Sequence, residues 1–251
     1  MISKEKVKYI HSLKLKKIRK SENAFVAECP KVVGDLLEII PARIIVATKE
    51  WIEQNVNNDN ITYEIIEVTD EELKKVSFLQ HPQQVIAVFP EFKNDNLSSD
   101  IRSQLSLALD GVQDPGNLGT IIRIADWFGI QNIFCSKDTA DLYNPKVIQA
   151  TMGSIARVNV VYTDLLMFIN TLPSDFPVYG TLLDGDNIYH KQLLDRGLII
   201  MGNEGNGISP AIRARINHKL FIPSYPEGIE TAESLNVAVA TAITCNEFRR
   251  K

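Results

Sequence analysis

Three glycine-containing segments of the C-terminal half place polar side chains where a ligand could bind. They are residues 110–123, 202–209 and 222–236. Glycine lets the backbone approach a ligand closely, and amide, carboxylate, hydroxyl and guanidinium groups can hold the ligand there. Taken one at a time, each segment is better explained as a turn. The side chains that could do chemistry together are Asn117, Arg123, Glu204, Ser234 and Asn236.

None of the three segments is a familiar phosphate-binding loop. A P-loop ends in Gly-Lys-Ser/Thr, whereas Gly119 is followed by Thr120 without a lysine. The second segment reads GxxGxG, which differs from the dinucleotide-binding pattern GxGxxG. A nucleotide-dependent oxidoreductase would therefore have only the alternation of helices and strands in its favour.

Several of these polar residues also have a purely structural interpretation. Arg123 stands among isoleucines in a predicted helix, where a guanidinium needs a partner, and an ion pair with Asp126 or Asp110 would supply one. Glu204 could fix a loop or pair with an arginine of a partner subunit. Asn236 could simply cap the last helix, because asparagine is common at that position.

Alternating helices and strands before residue 90 predict a small α/β domain. The apolar residues at positions 7, 10, 13 and 18 fall near helical spacing. Strands are predicted at NAFVAEC, ARIIVAT, ITYEIIEV and QQVIAVF, with helices at VVGDLLEII and DEELKKVSFL. The segment PEFKNDNLSSD that follows is polar and aperiodic, as a linker is.

A second alternating series after residue 105 predicts a mostly parallel sheet covered on both faces. Its strands are SLALD, NIFC, ARVNVVY, VYGTLL, LIIMG and KLFIP. The closing helix LNVAVATAITCNEF is apolar nearly all round, so the sheet or another subunit must bury it. Ligands of such sheets bind beyond the carboxyl ends of the strands, where the three segments lie. We predict domains at residues 1–90 and 105–251, joined by a linker at 91–104.

The composition is that of a globular protein, with 251 residues and 45% hydrophobic side chains. Cys29, Cys135 and Cys245 lie far apart and the four histidines are scattered, so we predict buried thiols, no disulfide and no metal. No apolar run is long enough to cross a membrane, and lysines interrupt the N-terminus, so we expect neither a membrane helix nor a signal peptide. We therefore expect a cytoplasmic protein.

Charge is distributed unevenly along the chain. The net charge of −4 argues mildly against a nucleic-acid partner. The first twenty residues, however, hold eight basic residues against Glu5 alone. This basic face is either a solvated helix surface or a patch that faces RNA. Its residues are Lys4, Lys6, Lys8, Lys14, Lys16, Lys17, Arg19 and Lys20.

Together the three segments resemble the signature motifs of the SpoU (TrmH-like) family of RNA 2′-O-ribose methyltransferases, in the SPOUT superfamily. LALDGVQDPGNLGTIIRIADWFG resembles the first motif, LIIMGNEGNGIS the second and IPSYPEGIETAESLNVAVATAITCNEF the third, in the same order. RKSENAFVAE and HPQQVIAVF resemble the family's small ribosomal-protein-like accessory domain. The departures are a longer loop before Ser234, Ala238 where many members have serine, and Cys29 and Gln84 where glycine is usual.

The resemblance implies an α/β fold with a C-terminal trefoil-knot methyltransferase domain, a homodimer, and S-adenosylmethionine as cofactor. It implies an RNA substrate, and the appended N-terminal domain favours ribosomal over transfer RNA. The cofactor would rest against main-chain groups of Gly202, Ile222 and Leu235, beside Glu204, Gly205 and Asn236. The implied catalytic and RNA-binding set is Asn117, Arg123, Glu204, Ser234 and Asn236. A noncatalytic RNA-binding or assembly factor that keeps the fold is the main alternative.

A role for Arg123 follows from the chemistry that the resemblance implies. A ribose 2′-hydroxyl is a weak nucleophile, so its oxygen must be deprotonated or its developing charge stabilised. A guanidinium keeps its proton at neutral pH and is therefore a poor base. We expect Arg123 to stabilise the alkoxide and grip the adjacent phosphate, while a phosphate oxygen or a polar side chain takes the proton.

Overall fold

The chain folds into two units. The structure is a computed structural model that describes residues 2–56, 64–92, 101–226, 229 and 232–250. The first unit comprises residues 1–93 and 141–156, and the second comprises residues 94–140 and 157–251. Most of the predicted linker lies outside the described residues. The boundaries at 1–90, 91–104 and 105–251 therefore stay a prediction.

The first unit contains a mixed four-stranded sheet. Its strand order is β1-β4-β2-β3, in which β4 runs antiparallel to both neighbours and β2 is parallel to β3. The predicted strands are confirmed, although residues 61–63 of the third lie outside the description. The strands are β1 (Ala24–Glu28), β2 (Ile44–Ala47), β3 (Glu64–Glu67) and β4 (Val85–Pro90).

Helices cover this sheet, and three of them differ from the sequence prediction. The helices are α1 (Lys4–Ser12), α2 (Lys16–Glu22), α3 (Pro30–Leu37), α4 (Lys49–Asn55) and α5 (Asp70–Val76). The N-terminal helical pattern breaks into α1 and α2, and α4 was not predicted. Helix α5 begins with a capping box in which Thr69 and Glu72 exchange hydrogen bonds, and its first turn is acidic.

Arg19 is buried in the first unit and does not belong to an exposed basic face. Only 2% of its surface is exposed. Its guanidinium donates hydrogen bonds to the carbonyl oxygens of Leu13 and Lys14, at 2.9 and 2.7 Å, and to Asp141 Oδ2 at 2.6 Å. The prediction that Arg19 contributes to the basic face is therefore wrong, because this side chain anchors the turn between α1 and α2. The lysines at positions 4, 8, 14, 16, 17 and 20 are exposed.

The second unit contains a six-stranded, fully parallel sheet with the order β10-β8-β9-β5-β6-β7. This confirms the predicted parallel α/β fold. The strands are β5 (Leu105–Asp110), β6 (Asn132–Cys135), β7 (Asn159–Tyr162), β8 (Val178–Asn187), β9 (Gly197–Gly202) and β10 (His218–Phe221). The helices are α6 (Pro115–Trp127), α8 (Leu165–Asn170), α9 (Pro210–Arg213) and α10 (Val237–Arg249), and α7 (Pro145–Thr151) belongs to the first unit.

Helices α6 and α10 lie side by side and run in the same direction. Asn117 and Asn236, at their N-terminal ends, are hydrogen-bonded to each other. At the other end the Arg249 guanidinium donates to the carbonyl oxygen of Phe128, just after α6. The buried stripe of α6 is Leu118, Ile121, Ile122 and Ala125. Half of the apolar residues of α10 are buried and Val239 is exposed, so the burial predicted for that helix is partial within one copy.

The three cysteines are free and buried, as predicted. Burial raises the pKa of the Cys245 thiol to about 12 and moves that of Cys135 higher still. Within the described ranges no helix is long and apolar enough to cross a membrane. Among the same residues, no group of three or more His, Cys, Asp or Glu side chains could hold a metal ion.

Candidate functional site

The first two motif segments begin side by side at the carboxyl edge of the second sheet. Strands β5 and β9 are parallel neighbours, and their last residues, Asp110 and Gly202, are paired in register. Asp110 Oδ2 also accepts a hydrogen bond from the Ser209 backbone N–H at 2.7 Å, which closes the second segment onto the first. The sheet therefore brings these two segments to one place, as their positions after strands predicted.

A chain of side-chain hydrogen bonds joins all three segments. Asn117 Nδ2 donates to Glu204 Oε1 at 2.7 Å. Asn117 Oδ1 accepts from Asn236 Nδ2 at 2.9 Å. Asp114 caps α6 by accepting the Asn117 backbone N–H at 2.9 Å, which fixes the start of this helix. Three of the five predicted catalytic residues thus lie in contact.

Asn236 is a helix cap and a member of this chain at the same time. Its Oδ1 accepts hydrogen bonds from the backbone N–H groups of Ala238 and Val239, at 3.0 and 3.2 Å. The Nδ2 of the same amide donates to Asn117. The capping and functional interpretations of Asn236 are therefore compatible, because the two ends of one amide serve them separately.

The loop after β9 turns tightly around glycine positions. A Cβ at Gly202 would lie 2.4 Å from the carbonyl carbon of Gly207, so only glycine fits there. Asn203 and Gly207 exchange backbone hydrogen bonds of 3.0 and 2.9 Å, and Gly207 has a φ of +68°. Glu204 and Gly205 lie exposed at the tip of this loop.

The remaining predicted residues lie near the same edge or on its approach. Ile222 directly follows β10, which is two strands from β9 and hence about 10 Å away. Leu235 is 49% exposed just before α10. Ser234 is exposed, and its hydroxyl forms no hydrogen bond within the described part of the chain. Part of the longer third loop, at residues 227, 228, 230 and 231, lies outside the description.

Arg123 differs from the sequence prediction in its surroundings. It is exposed, because helical geometry turns it away from the buried stripe of α6. Asp126 pairs with Arg157 at 2.8 Å, and Asp110 accepts the Ser209 N–H, so neither carboxylate is the predicted partner. Among the described residues Arg123 forms no ion pair, and it is not in the Glu204–Asn117–Asn236 chain.

The end of β8 adds residues that the sequence analysis missed. Gly180 of β8 pairs with Lys219 of β10, but the next residue of β10, Leu220, pairs with Asp186. Residues 181–185 of β8 therefore bulge out of its pairing with β10. Thr181 Oγ1 contacts Met201 Sδ at 3.6 Å, next to Gly202. Because β8 lies between β9 and β10, this excursion lies between Gly202 and Ile222. The glycines at 180 and 185, inside a strand pattern, were the available signal.

Comparison with protein families identifies the fold and the motifs together. Residues 104–246 match the SpoU rRNA Methylase family. The chain belongs to this family. Residues 4–87 match a second family, the MRM3-like substrate binding domain. The family predicted from the three motifs is confirmed, and so is the presence of the N-terminal accessory domain.

Individual relatives of this SpoU family chain are similar over almost its full length. The chain is 33% identical to the 23S rRNA (guanosine(2553)-2'-O)-methyltransferase RlmP of Bacillus subtilis, covering 98% of this chain and 96% of the relative. Among solved structures, a putative RNA methyltransferase of the TrmH family from Porphyromonas gingivalis is 38% identical, with a TM-score of 0.84 over 99% and 98% of the two chains. An AdoMet-bound rRNA methyltransferase from Sinorhizobium meliloti is 28% identical, with a TM-score of 0.84 over 99% and 95%.

Proposed function

We propose that this chain transfers a methyl group from S-adenosylmethionine to a ribose 2′-hydroxyl of ribosomal RNA. The enzyme class and the cofactor follow from membership of the SpoU family. Ribosomal RNA is favoured because relatives such as RlmP act on 23S rRNA. The observation that carries the proposal is the convergence of Asn117, Glu204 and Asn236, one from each motif, at the carboxyl edge of a parallel sheet.

The residues at this edge fit the cofactor in chemistry. Gly202 at the end of β9 and Ile222 after β10 stand two strand spacings apart, about 10 Å, with the excursion of β8 between them. Leu235 offers exposed apolar surface for a purine ring. The Glu204 carboxylate complements the positive charge of a sulfonium. When bound there, S-adenosylmethionine supplies an electrophilic methyl group.

The chain's own residues have separable tasks in this reaction. Glu204 and Asn236 hold the Asn117 amide from both sides, so that the three loops keep one geometry. The exposed hydroxyl of Ser234 and the exposed guanidinium of Arg123 are available to RNA. Arg123 stabilises the charge that develops on the ribose oxygen and binds the neighbouring phosphate, and a phosphate oxygen or polar side chain takes the proton.

The exposed apolar surface of α6 and α10 fits the interface of a homodimer. Trp127 is 84% exposed, one helical turn after Arg123 on the same face of α6, and Val239 on the adjacent α10 is 49% exposed. A second copy that covers this apolar face would bury Trp127. The same contact would place Arg123 at the subunit interface. The trefoil knot also stays a proposal, supported by the return of the chain from β10 at the sheet edge to α6.

The first unit would hold the RNA substrate. It matches a substrate binding domain, and its exposed lysines suit contact with phosphates. Besides the buried Arg19, the first twenty residues contain seven lysines and one acidic residue, and the rest of the chain holds 19 basic and 30 acidic residues. Attraction to RNA is therefore concentrated at α1 and α2. A cytoplasmic location stays part of this proposal.

The test is methylation of defined RNA by the purified full-length chain. Ribosomal RNA and bulk tRNA from cells that lack the gene are incubated separately with S-adenosylmethionine, digested to nucleosides and analysed by mass spectrometry. We expect one 2′-O-methylated nucleoside to appear in ribosomal RNA. Methylation of tRNA alone would reassign the substrate. Calorimetry that detects RNA binding but no binding of S-adenosylmethionine would favour a noncatalytic RNA-binding factor instead.

A further inference from the structure

The side chain of Asn203 ties the loop after β9 to the loop after β5. Its Nδ2 donates to the carbonyl oxygen of Gly111 at 2.7 Å. Its Oδ1 accepts the backbone N–H groups of Gly205 and Asn206, at 2.9 and 3.0 Å. One amide therefore makes three hydrogen bonds, all to main-chain atoms, and these enclose the position of Glu204 from both sides.

Gly111 is the other half of this connection. Its N–H donates to Ser136 Oγ at 2.9 Å, and its carbonyl oxygen accepts from Asn203. Its φ of +73° and the Asp138 carboxylate, 3.1 Å from where a Cβ would be, favour glycine. Ser136 follows β6 directly. The ends of three neighbouring strands, β9, β5 and β6, are thus joined through Gly111.

The loop after β9 needs these hydrogen bonds because its own sequence allows many backbone conformations. Three of the six residues from 202 to 207 are glycines, which have the largest backbone freedom in the absence of constraints. Apart from the bonds to Asn203, the loop tip is exposed. The conformation that presents Gly202, Glu204 and Gly205 together therefore depends on hydrogen bonds that a side chain supplies.

We propose that Asn203 is a positioning residue that holds the loop after β9 in its cofactor-binding conformation before the cofactor arrives. The proposal rests on the proposed function, since it assigns the purpose of this order to S-adenosylmethionine binding. Asn203 acts through the backbone of Gly205 and the placement of Glu204 opposite Asn117. When only a fraction of molecules holds the competent loop, the apparent dissociation constant rises by the inverse of that fraction.

The experiment compares three variants of the full-length chain. Asn203→Ala removes all three hydrogen bonds, and Asn203→Asp keeps the two acceptor contacts but loses the donor to Gly111. Asn206→Ala is the matched control, because it shortens an exposed asparagine of the same loop and leaves its backbone bond intact. Calorimetry measures the affinity for S-adenosylmethionine. Hydrogen exchange measures protection of the Gly205 and Asn206 amides in the cofactor-free protein.

We expect Asn203→Ala to weaken S-adenosylmethionine binding about 10-fold or more, since each lost hydrogen bond contributes a factor of about 2 to 10. Protection of the two amides should fall in the same variant. Asn203→Asp should retain that protection and bind with intermediate affinity. Asn206→Ala should match the wild type in both measurements.

Wild-type affinity for S-adenosylmethionine in Asn203→Ala would overturn the role of Asn203. If that variant also had a lower melting temperature and unchanged amide protection, the residue would be merely structural. Failure of the wild type itself to bind S-adenosylmethionine would refute the proposed function and, with it, the assignment of this loop order to the cofactor.

Discussion

Replacement of Arg19 by alanine should strongly destabilise the first unit. The guanidinium is 2% exposed and donates to two carbonyl oxygens and to the Asp141 carboxylate, whose side chain is 19% exposed. Arg19→Ala leaves three acceptors without their donor, one of them a largely buried charge. Removal of one partner of a buried ion pair costs about 3–5 kcal/mol. For a chain of this size that loss corresponds to a melting temperature about 6–20 °C lower.

Fluorescence of Trp51 provides the assay for the first unit. Trp51 is 1% exposed there, and the 84% exposed Trp127 of the second unit can be replaced by phenylalanine to leave a single reporter. Urea unfolding of this background then gives the free energy of unfolding with and without Arg19→Ala. Lys20→Ala is the control, because that neighbouring lysine is exposed and its loss should change stability by less than about 0.5 kcal/mol.

A double-mutant cycle with Asp141→Asn separates the ion pair from the two carbonyl contacts. We expect a coupling free energy of about 1–3 kcal/mol between Arg19 and Asp141, because the two side chains are in direct contact. A loss below about 1 kcal/mol in Arg19→Ala, equal to that of Lys20→Ala, would refute this reasoning. Arg19 would then behave as an exposed residue, as the sequence analysis predicted.

Four further changes have expected outcomes. Arg123→Lys should lower turnover about 10-fold or more with unchanged cofactor affinity, measured by methyl transfer, because an ammonium cannot make a bidentate contact. Lys16→Gln with Lys17→Gln should reduce the slope of log affinity for RNA against log salt by about 1.4–1.8. Gln84→Gly should raise the free energy of unfolding in urea by about 0.5–1 kcal/mol, since φ is +46° at this position. Cys245 has a raised pKa, so its contribution to stability is present below about pH 9 and lost toward pH 12, by about 1.4 kcal/mol per pH unit. Cys245→Ala should therefore flatten the stability profile over pH 8–10.

Matched controls distinguish these effects from general damage. Lys31→Gln with Lys49→Gln removes the same charge from the first unit, but each lysine is already paired with an acid four residues later, Asp35 or Glu53, so the salt slope should hardly change. Gln83→Gly, next to the positive-φ site, should destabilise or leave stability unchanged. A salt slope unchanged by the Lys16 and Lys17 pair would count against RNA contact, and near-normal turnover in Arg123→Lys against the bidentate role.

Much of the fold was predictable because its signals are local and repeated. Runs such as LIIMG and QQVIAVF marked strands, and their alternation with helices implied the parallel sheet of the second unit. Helix α4 escaped prediction because, in its sequence KEWIEQN, only Trp51 is buried, which leaves no apolar period to detect. The break between α1 and α2 was not predicted because the apolar spacing continues across it. Arg19 stabilises this turn, but nothing in the sequence distinguishes it from the exposed basic residues around it.

In the candidate site, too, local sequence patterns were predictable, whereas contacts between distant segments were not. The positions of the three motifs predicted that Asn117, Glu204 and Asn236 lie in one site. The structure places these side chains in one hydrogen-bonded chain. The prediction of buried surroundings for Arg123 was wrong, because residues adjacent in a helical sequence point in different directions. Arg123 is exposed, whereas Ile121 and Ile122 are buried on the other face of α6. The excursion of β8 depends on how β10 pairs with it. Pairing between strands that are distant in sequence has no local pattern, so Gly180 and Gly185 are its only sign in the sequence of β8.

The membership of α7 in the first unit has a practical consequence for dissecting the molecule. The chain leaves the second unit after Ala140 and returns to it at Arg157, so the polypeptide passes between the units three times. A single cut near residue 93 would deprive the N-terminal fragment of Asp141, the partner of its buried Arg19. Anyone who wishes to exchange the first unit with that of a relative must therefore transplant two separate stretches of sequence at once.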